Sequence, residues 1–213
     1  MTMTWTPELE AMVKAMLQNP DGYPWTLQGF GMLRCDLAGR EYRLHVWDRR
    51  YRVDDVASIH DHPWDLESLV MAGRITNTIF RPEEVVEGTS ATFTHWMNVI
   101  EPGDVGGELE PPRRVRLYAA NKIDYRRTEV YAQTKDQIHD TEYVTGTVTL
   151  VRRTNRDSQG AGGDRAKVFW RNDAGMEWKG ATPQEATPEK VKRICDVALA
   201  MWGEDIGEAT DAV

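Results

Sequence analysis

Histidine is the residue type in this chain best suited to hold a metal ion, and two histidines stand close together. His60 and His62 occur in the segment Ile-His-Asp-His-Pro-Trp at positions 59–64. In an extended strand, residues i and i+2 point to the same face, about 6–7 Å apart. Two neutral imidazoles at that spacing can coordinate one ion. The segment therefore predicts two ligands of a metal site.

The nearest acidic candidates for this site follow the two histidines. Glu67 stands five residues after His62, and Asp65 lies between them. A regular strand would turn Glu67 to the face opposite His62, unless Pro63 breaks the strand. Glu67 is thus a candidate ligand or catalytic base on that condition. His45 lies on a separate predicted strand and is interpreted as structural or as a residue that supports the ligands, and His95 is interpreted as structural.

The spacing of these residues is similar to a known family motif. The pattern of His60, His62, Glu67 and Gly73 resembles the first motif of the cupin superfamily, which has two histidines, a glutamate and a glycine. The motif His-x-His-Pro-Trp-Asp also resembles one found in a subgroup of small bacterial and phage-encoded cupin-like proteins. That subgroup carries a single further histidine before a distant strand rich in Thr and Leu.

The place of that further histidine is taken here by His139, before the Thr-rich segment 145–150. The resemblance implies a double-stranded β-helix in which His60, His62, Glu67 and His139 hold one metal ion. Since His62 and His139 are far apart in the chain, residues 82–122 are predicted to hold an inserted hairpin or loop.

Three imidazoles with at most one carboxylate suit one divalent transition metal, and they exclude a calcium cage of oxygens. Fe(II) is the preferred ion, and Mn(II), Ni(II), Zn(II) and Cu(II) also fit this ligand set. The leading hypothesis is a mononuclear non-haem iron oxygenase, of the dioxygenase type, that acts on a small organic substrate. Two alternatives stay open: a metal-dependent sugar isomerase or epimerase, and a non-catalytic module that binds a small ligand. Whether the chain is an enzyme is not decided.

The elements that would position these residues are mostly strands. Thr6-Pro7 and Thr187-Pro188 are typical helix starts, and each precedes a stripe of apolar residues at helical spacing. Between them, segments rich in Val, Ile, Thr, Tyr and Trp predict strands. The predicted strands are residues 28–34, 40–48, 57–61, 66–80, 90–98, 115–118, 123–132, 143–153 and 166–171. Many short strands in one run predict an all-β sandwich or barrel.

With the resemblance, the expected architecture is an all-β, cupin-type double-stranded β-helix, a jelly-roll barrel, with flanking N- and C-terminal α-helices. The expected divisions are an N-terminal helix at 1–22, a cupin-like β-barrel at 23–175 and a C-terminal helical extension at 176–213.

Charge and composition limit the partners. Thirty-four acidic against 26 basic residues give a net charge of −8, which is the opposite of the usual balance in nucleic-acid-binding proteins. No apolar stretch approaches the roughly 20 residues that span a bilayer, and no signal peptide is evident. We expect a cytoplasmic protein with a small-molecule substrate and neither a nucleic acid nor a membrane as partner. Analogy with the family also allows a homodimer.

Overall fold

Two α-helices and thirteen β-strands make up the computed structural model, which describes residues 2–53, 57–85, 94–100, 111–154, 165–171 and 183–202. The helices are α1 (Pro7–Gln18) and α2 (Pro188–Ala200). The strands are β1 (Trp25–Gln28), β2 (Phe30–Leu37), β3 (Tyr42–Arg52), β4 (Ile59–His60), β5 (Asp65–Ala72), β6 (Arg74–Glu84), β7 (His95–Ile100), β8 (Arg113–Arg126), β9 (Val130–Gln133), β10 (His139–Tyr143), β11 (Thr147–Thr154), β12 (Ala166–Arg171) and β13 (Gln184–Glu185).

Both predicted helix starts are confirmed. The Thr6 hydroxyl accepts the Leu9 N–H at 3.2 Å, and the Thr187 hydroxyl accepts the Lys190 N–H at 3.4 Å. Each cap satisfies a backbone donor that the helix itself leaves without a partner, and a proline follows each cap at the first helical position. The apolar stripes of both helices pack on one face of a sheet. These stripes are docking faces for the helices.

The strands form two antiparallel layers. A seven-stranded sheet has the order β13-β1-β2-β3-β11-β5-β9, and a closed six-stranded barrel has the order β10-β4-β12-β7-β8-β6. One face of the seven-stranded sheet packs on the helices. The other, which we call the inner face, shares a core with barrel residues such as Ile75 and Tyr143. The fold is therefore an all-β jelly-roll barrel with two flanking helices, as predicted.

Strand boundaries differ from the sequence expectation where glycines turn the chain. The predicted strand 66–80 is two strands, β5 and β6, which meet at Gly73 with φ +77°. The predicted strand 143–153 is likewise divided before Gly146, which has φ +89°. Left-handed backbone is open to glycine at little cost, so both positions allow a sharp reversal.

The described part of the predicted insertion at 82–122 belongs to strands of the barrel, since β7 pairs with β8 and β8 pairs with β6. β6 and β8 pair from Arg74↔Arg126 to Glu84↔Val115. The predicted strand 115–118 and the start of the predicted strand 123–132 therefore form one continuous strand, β8, and the end of the latter belongs to β9. The start of the predicted strand 90–98 and the expected boundary at residues 175/176 lie outside the described residues. Within the described parts of the chain, neither helix is long and apolar enough to cross a membrane.

Candidate metal centre

Three of the five histidines meet at the rim of the barrel. His60, at the end of β4, lies directly opposite His139, at the start of β10, in the antiparallel register. His62 follows two residues later, and its ring centroid is 4.8 Å from that of His60 and 5.1 Å from that of His139. One ring nitrogen from each of the three lies within 4.8 Å of the others. The three side chains are close enough to bind one metal ion.

Hydrogen bonds to the backbone fix two of the rings. His60 Nδ1 lies 2.8 Å from the Ser58 carbonyl oxygen, and His139 Nδ1 lies 3.2 Å from the Gln137 carbonyl oxygen. A carbonyl only accepts, so each Nδ1 carries the hydrogen and donates it. The Nε2 atom of each ring then keeps its lone pair for a metal ion.

Burial keeps these imidazoles neutral. Desolvation lowers the pKa of His139 to about 3, with the neighbouring His60 adding to the effect. Burial also lowers the pKa of His60, and it lowers that of His62 well below the usual range. A metal ligand must be deprotonated, so the site is ready for a cation at neutral pH without first losing protons.

Aromatic rings hold two of the histidines in place. Phe30 stacks on His60 with centroids 5.4 Å apart and planes 7° apart. Trp64 stacks on His62 with centroids 5.4 Å apart and planes 21° apart. Trp64 is 6% exposed, so this wall of the site is part of the core.

The residue between the two histidines anchors their segment to the barrel. Asp61 is 1% exposed, and its carboxylate accepts the Lys167 backbone N–H at 2.6 Å and the Lys167 Nζ at 3.0 Å. Burial raises the pKa of Asp61, although both bonds from Lys167 favour the charged form. Lys167 also contacts Asp136, whose own N–H donates to the His62 carbonyl. The contacts of Lys167 with Asp61 and Asp136 could not have been found from sequence spacing, because Lys167 comes from a distant strand.

Glu67 requires a correction. The structure does not bring Glu67 to the three histidines. Its carboxylate accepts a hydrogen bond from Arg152 at 2.6 Å and one from the Met3 N–H at 3.3 Å. The reason is strand parity: Leu66 and Val70 of β5 belong to the inner core, so Glu67 points to the opposite face. The expectation that Glu67 serves as fourth ligand or catalytic base is not supported by this geometry.

The other two histidines do not belong to the group. His45 is on β3 of the seven-stranded sheet, with its ring edge-on to Trp47 at 5.8 Å. His95 begins β7. Among the described residues, the metal-binding group consists of His60, His62 and His139.

A cavity of about 330 Å³ opens beside the site. Its lining includes Gln137, which accepts the His139 Nδ1–H, and Ile79, which pairs with His139 in the sheet. The buried side-chain nitrogens of Asn77 and Gln133, which also line it, have no hydrogen-bond partner within the described residues. The volume lies at the small end of the range for small-molecule pockets. The cavity therefore suits a small ligand with hydrogen-bond acceptors.

Comparison with protein-family models finds no match to this chain, and comparison with curated proteins finds none either. Its chemistry must therefore be argued from the donor set. Three neutral imidazole nitrogens suit first-row divalent transition metals and do not suit calcium or magnesium, which prefer oxygen ligands.

Proposed function

We propose that this protein is a cupin-like, mononuclear non-haem iron oxygenase that acts on a small organic substrate. The observation that carries the proposal is the group of His60, His62 and His139, whose ligand atoms lie within 4.8 Å of one another at the rim of a jelly-roll barrel. The resemblance of the His-x-His segment to the first cupin motif supports the same interpretation.

The three histidines would hold the ion through neutral nitrogens. Fe(II) in this site would supply a Lewis-acidic, redox-active centre with coordination positions left for substrate and oxygen. Phe30 and Trp64 keep the rings of His60 and His62 in position by stacking. The backbone carbonyls of Ser58 and Gln137 fix the tautomer of two ligands.

The placement of Glu67 favours an oxygenase over an isomerase. An isomerase needs a general base within reach of the substrate proton. Glu67 was the obvious acidic candidate in the motif, and its carboxylate is engaged by Arg152 on the opposite face of β5. Asp61 is also unsuitable, because its carboxylate is engaged by Lys167. An oxygenase needs a redox-active ion and does not depend on either carboxylate.

The test is anaerobic loading with Fe(II), followed by measurement of oxygen uptake with a panel of small metabolites. We expect substrate-dependent oxygen uptake by the Fe(II)-loaded protein and none by the Zn(II)-loaded protein. The His139→Ala variant should lose this activity, and Glu67→Gln should retain it. Turnover without oxygen, equal with Zn(II) and Fe(II), would reject the oxygenase in favour of the isomerase. Tight ligand binding without turnover would favour the non-catalytic module.

A further inference from the structure

Three arginines share the inner face of the seven-stranded sheet. Arg34 of β2 lies directly opposite His45 of β3, and Arg43 stands two residues before His45 on the same strand. Arg153 of β11 stands two residues after Val151, which lies opposite Arg43 and is buried in the inner core. Because cross-strand partners and residues two apart share a face, all three arginines lie on the inner face, with Val151.

These arginines lie close to the candidate metal centre. The guanidinium carbons of Arg43 and Arg153 are each 5.3 Å from the centroid of the Trp64 ring. Trp64 in turn stacks on His62. One aromatic ring therefore separates these two positive charges from a predicted metal ligand.

The interior around them has low solvent access. Arg153 is 4% exposed, and the Arg43 side chain is 16% exposed and donates to Asp36 at 2.7 Å. Burial alone would raise the pKa of Asp36, but the positive charges of Arg43, Arg34 and Arg153 outweigh this effect and lower that pKa overall. The positive charges of this cluster thus act strongly on the groups they surround, as expected in a medium of low dielectric constant.

Arg34 and His45 each carry a buried nitrogen atom on this face of the sheet. Among the described residues, neither Arg34 Nε nor His45 Nε2 has a hydrogen-bond partner, although both atoms are buried. Burial lowers the pKa of His45 well below its usual range, and the charges of Arg43 and Arg34 lower it further. His45 is therefore neutral, and its Nε2 can carry a hydrogen. A buried donor without a hydrogen bond is unfavourable, so these atoms are suited to a ligand that accepts hydrogen bonds.

We propose that Arg34 and His45 bind the acidic group of a small organic anion, a carboxylate or a phosphate, within the positive potential of Arg43 and Arg153. A planar guanidinium matches the paired oxygens of such groups. The inference rests on the proposed function in one respect, since it places the rest of the ligand toward His60, His62 and His139. It narrows the substrate class to organic acids and phosphate esters.

Titration calorimetry of the Zn(II)-loaded protein tests the proposal with succinate, inorganic phosphate and the uncharged succinamide. We expect succinate or phosphate to bind at least tenfold more tightly than succinamide, which is about 1.4 kcal/mol. Tighter binding of succinate would assign a carboxylate, and tighter binding of phosphate would assign a phosphate ester. Equal binding of succinate and succinamide would overturn the proposal.

The matched variants are Arg34→Gln and, as control, Arg193→Gln on the exposed surface of α2. Arg34→Gln should weaken anion binding at least tenfold without changing metal content, and Arg193→Gln should bind as the wild type does. If Arg34→Gln does not fold, Arg34→Lys and His45→Gln give the same readout, because both remove the paired donors but keep most of the volume. Wild-type anion affinity in the folded Arg34 and His45 variants would overturn the proposal.

A repeat with metal-free protein separates this inference from the proposed function. Succinate or phosphate binding that Arg34→Gln weakens would support the anion site even if the protein retained no metal. Metal retention without any anion binding would support the metal centre and overturn the anion site.

Discussion

Glu10 of α1 contacts residues from three distant parts of the chain, and its replacement by glutamine gives a sharp test of the packing. The Glu10 carboxylate accepts hydrogen bonds from Trp5 Nε1 at 3.0 Å, Arg127 Nη2 at 2.7 Å and Trp202 Nε1 at 3.0 Å, and it lies 2.8 Å from Lys14 Nζ. Its side chain is 12% exposed. Glu10→Gln keeps the shape and removes the charge that these donors share.

The size of the effect follows from the pKa. Burial alone would raise the pKa of Glu10, but hydrogen bonds from Lys14, Arg127 and Trp202 outweigh it and lower the pKa from 4.5 to about 2. At about 1.4 kcal/mol per pKa unit the upper bound is about 3 kcal/mol. Water screens part of this, since the Lys14 and Arg127 side chains are 37% and 40% exposed. We therefore expect Glu10→Gln to lower the free energy of unfolding by about 1–2 kcal/mol at pH 7.

The pH dependence has a fixed sign. Because the folded-state pKa lies below the unfolded value, the stabilisation by Glu10 is fully present above about pH 4.5 and is lost as the pH falls toward 2. The difference between wild type and Glu10→Gln should shrink over that window in urea unfolding. Glu8→Gln is the matched control, since Glu8 lies exposed in the same helical turn, and it should cost at most about 0.5 kcal/mol. Equal losses in the two variants, or a difference that widens in acid, would refute the reasoning.

Three further predictions concern the turn at Gly73, the role of Glu67 and the choice of partner. Gly73→Ala should lower the free energy of unfolding by about 1–3 kcal/mol in the same urea assay, because the added Cβ would lie 2.8 Å from Thr147 Cα at a φ of +77°; a loss below 0.5 kcal/mol would contradict this. Glu67→Gln should leave the metal content, measured by elemental analysis, unchanged, because the Glu67 carboxylate faces away from the histidines. Loss of metal in this variant would show that Glu67 is a ligand. Fluorescence anisotropy with duplex DNA should show no submicromolar binding at physiological salt, because the net charge of −8 opposes the counterion-release contribution; tight, salt-sensitive binding would contradict this and direct attention to the arginines at 113–116.

Part of the histidine group could be predicted from the sequence because its signal is local. His60 and His62 are two residues apart, and their ring centroids lie 4.8 Å apart. Strand β4 ends at His60, so the alternation of side chains between the two faces of a strand does not continue to His62. His139 could be placed only through the family resemblance, since its position opposite His60 depends on strand pairing across the barrel.

Glu67 shows why motif spacing alone was insufficient. The motif specifies only the number of residues between ligands, but the face on which a strand residue lies depends on parity. Leu66 and Val70, which flank Glu67 on β5, pack in the inner core, so Glu67 lies on the other face. Arg34, Arg43 and Arg153 could not be assembled from the sequence either, because three strands bring them together. Their local signal was the alternation Arg43-x-His45-x-Trp47, in which charged and aromatic residues occupy one face of β3.

The most direct test of the metal centre is titration of metal-free protein with Zn(II) at pH 7, comparing five single alanine variants at the histidines. The wild type should bind one ion. His60→Ala, His62→Ala and His139→Ala should each weaken binding at least tenfold, because each removes one of three neutral ligands. His45→Ala and His95→Ala should bind Zn(II) as the wild type does. Equal affinity in all five variants, or no binding by the folded wild type, would contradict the three-histidine site.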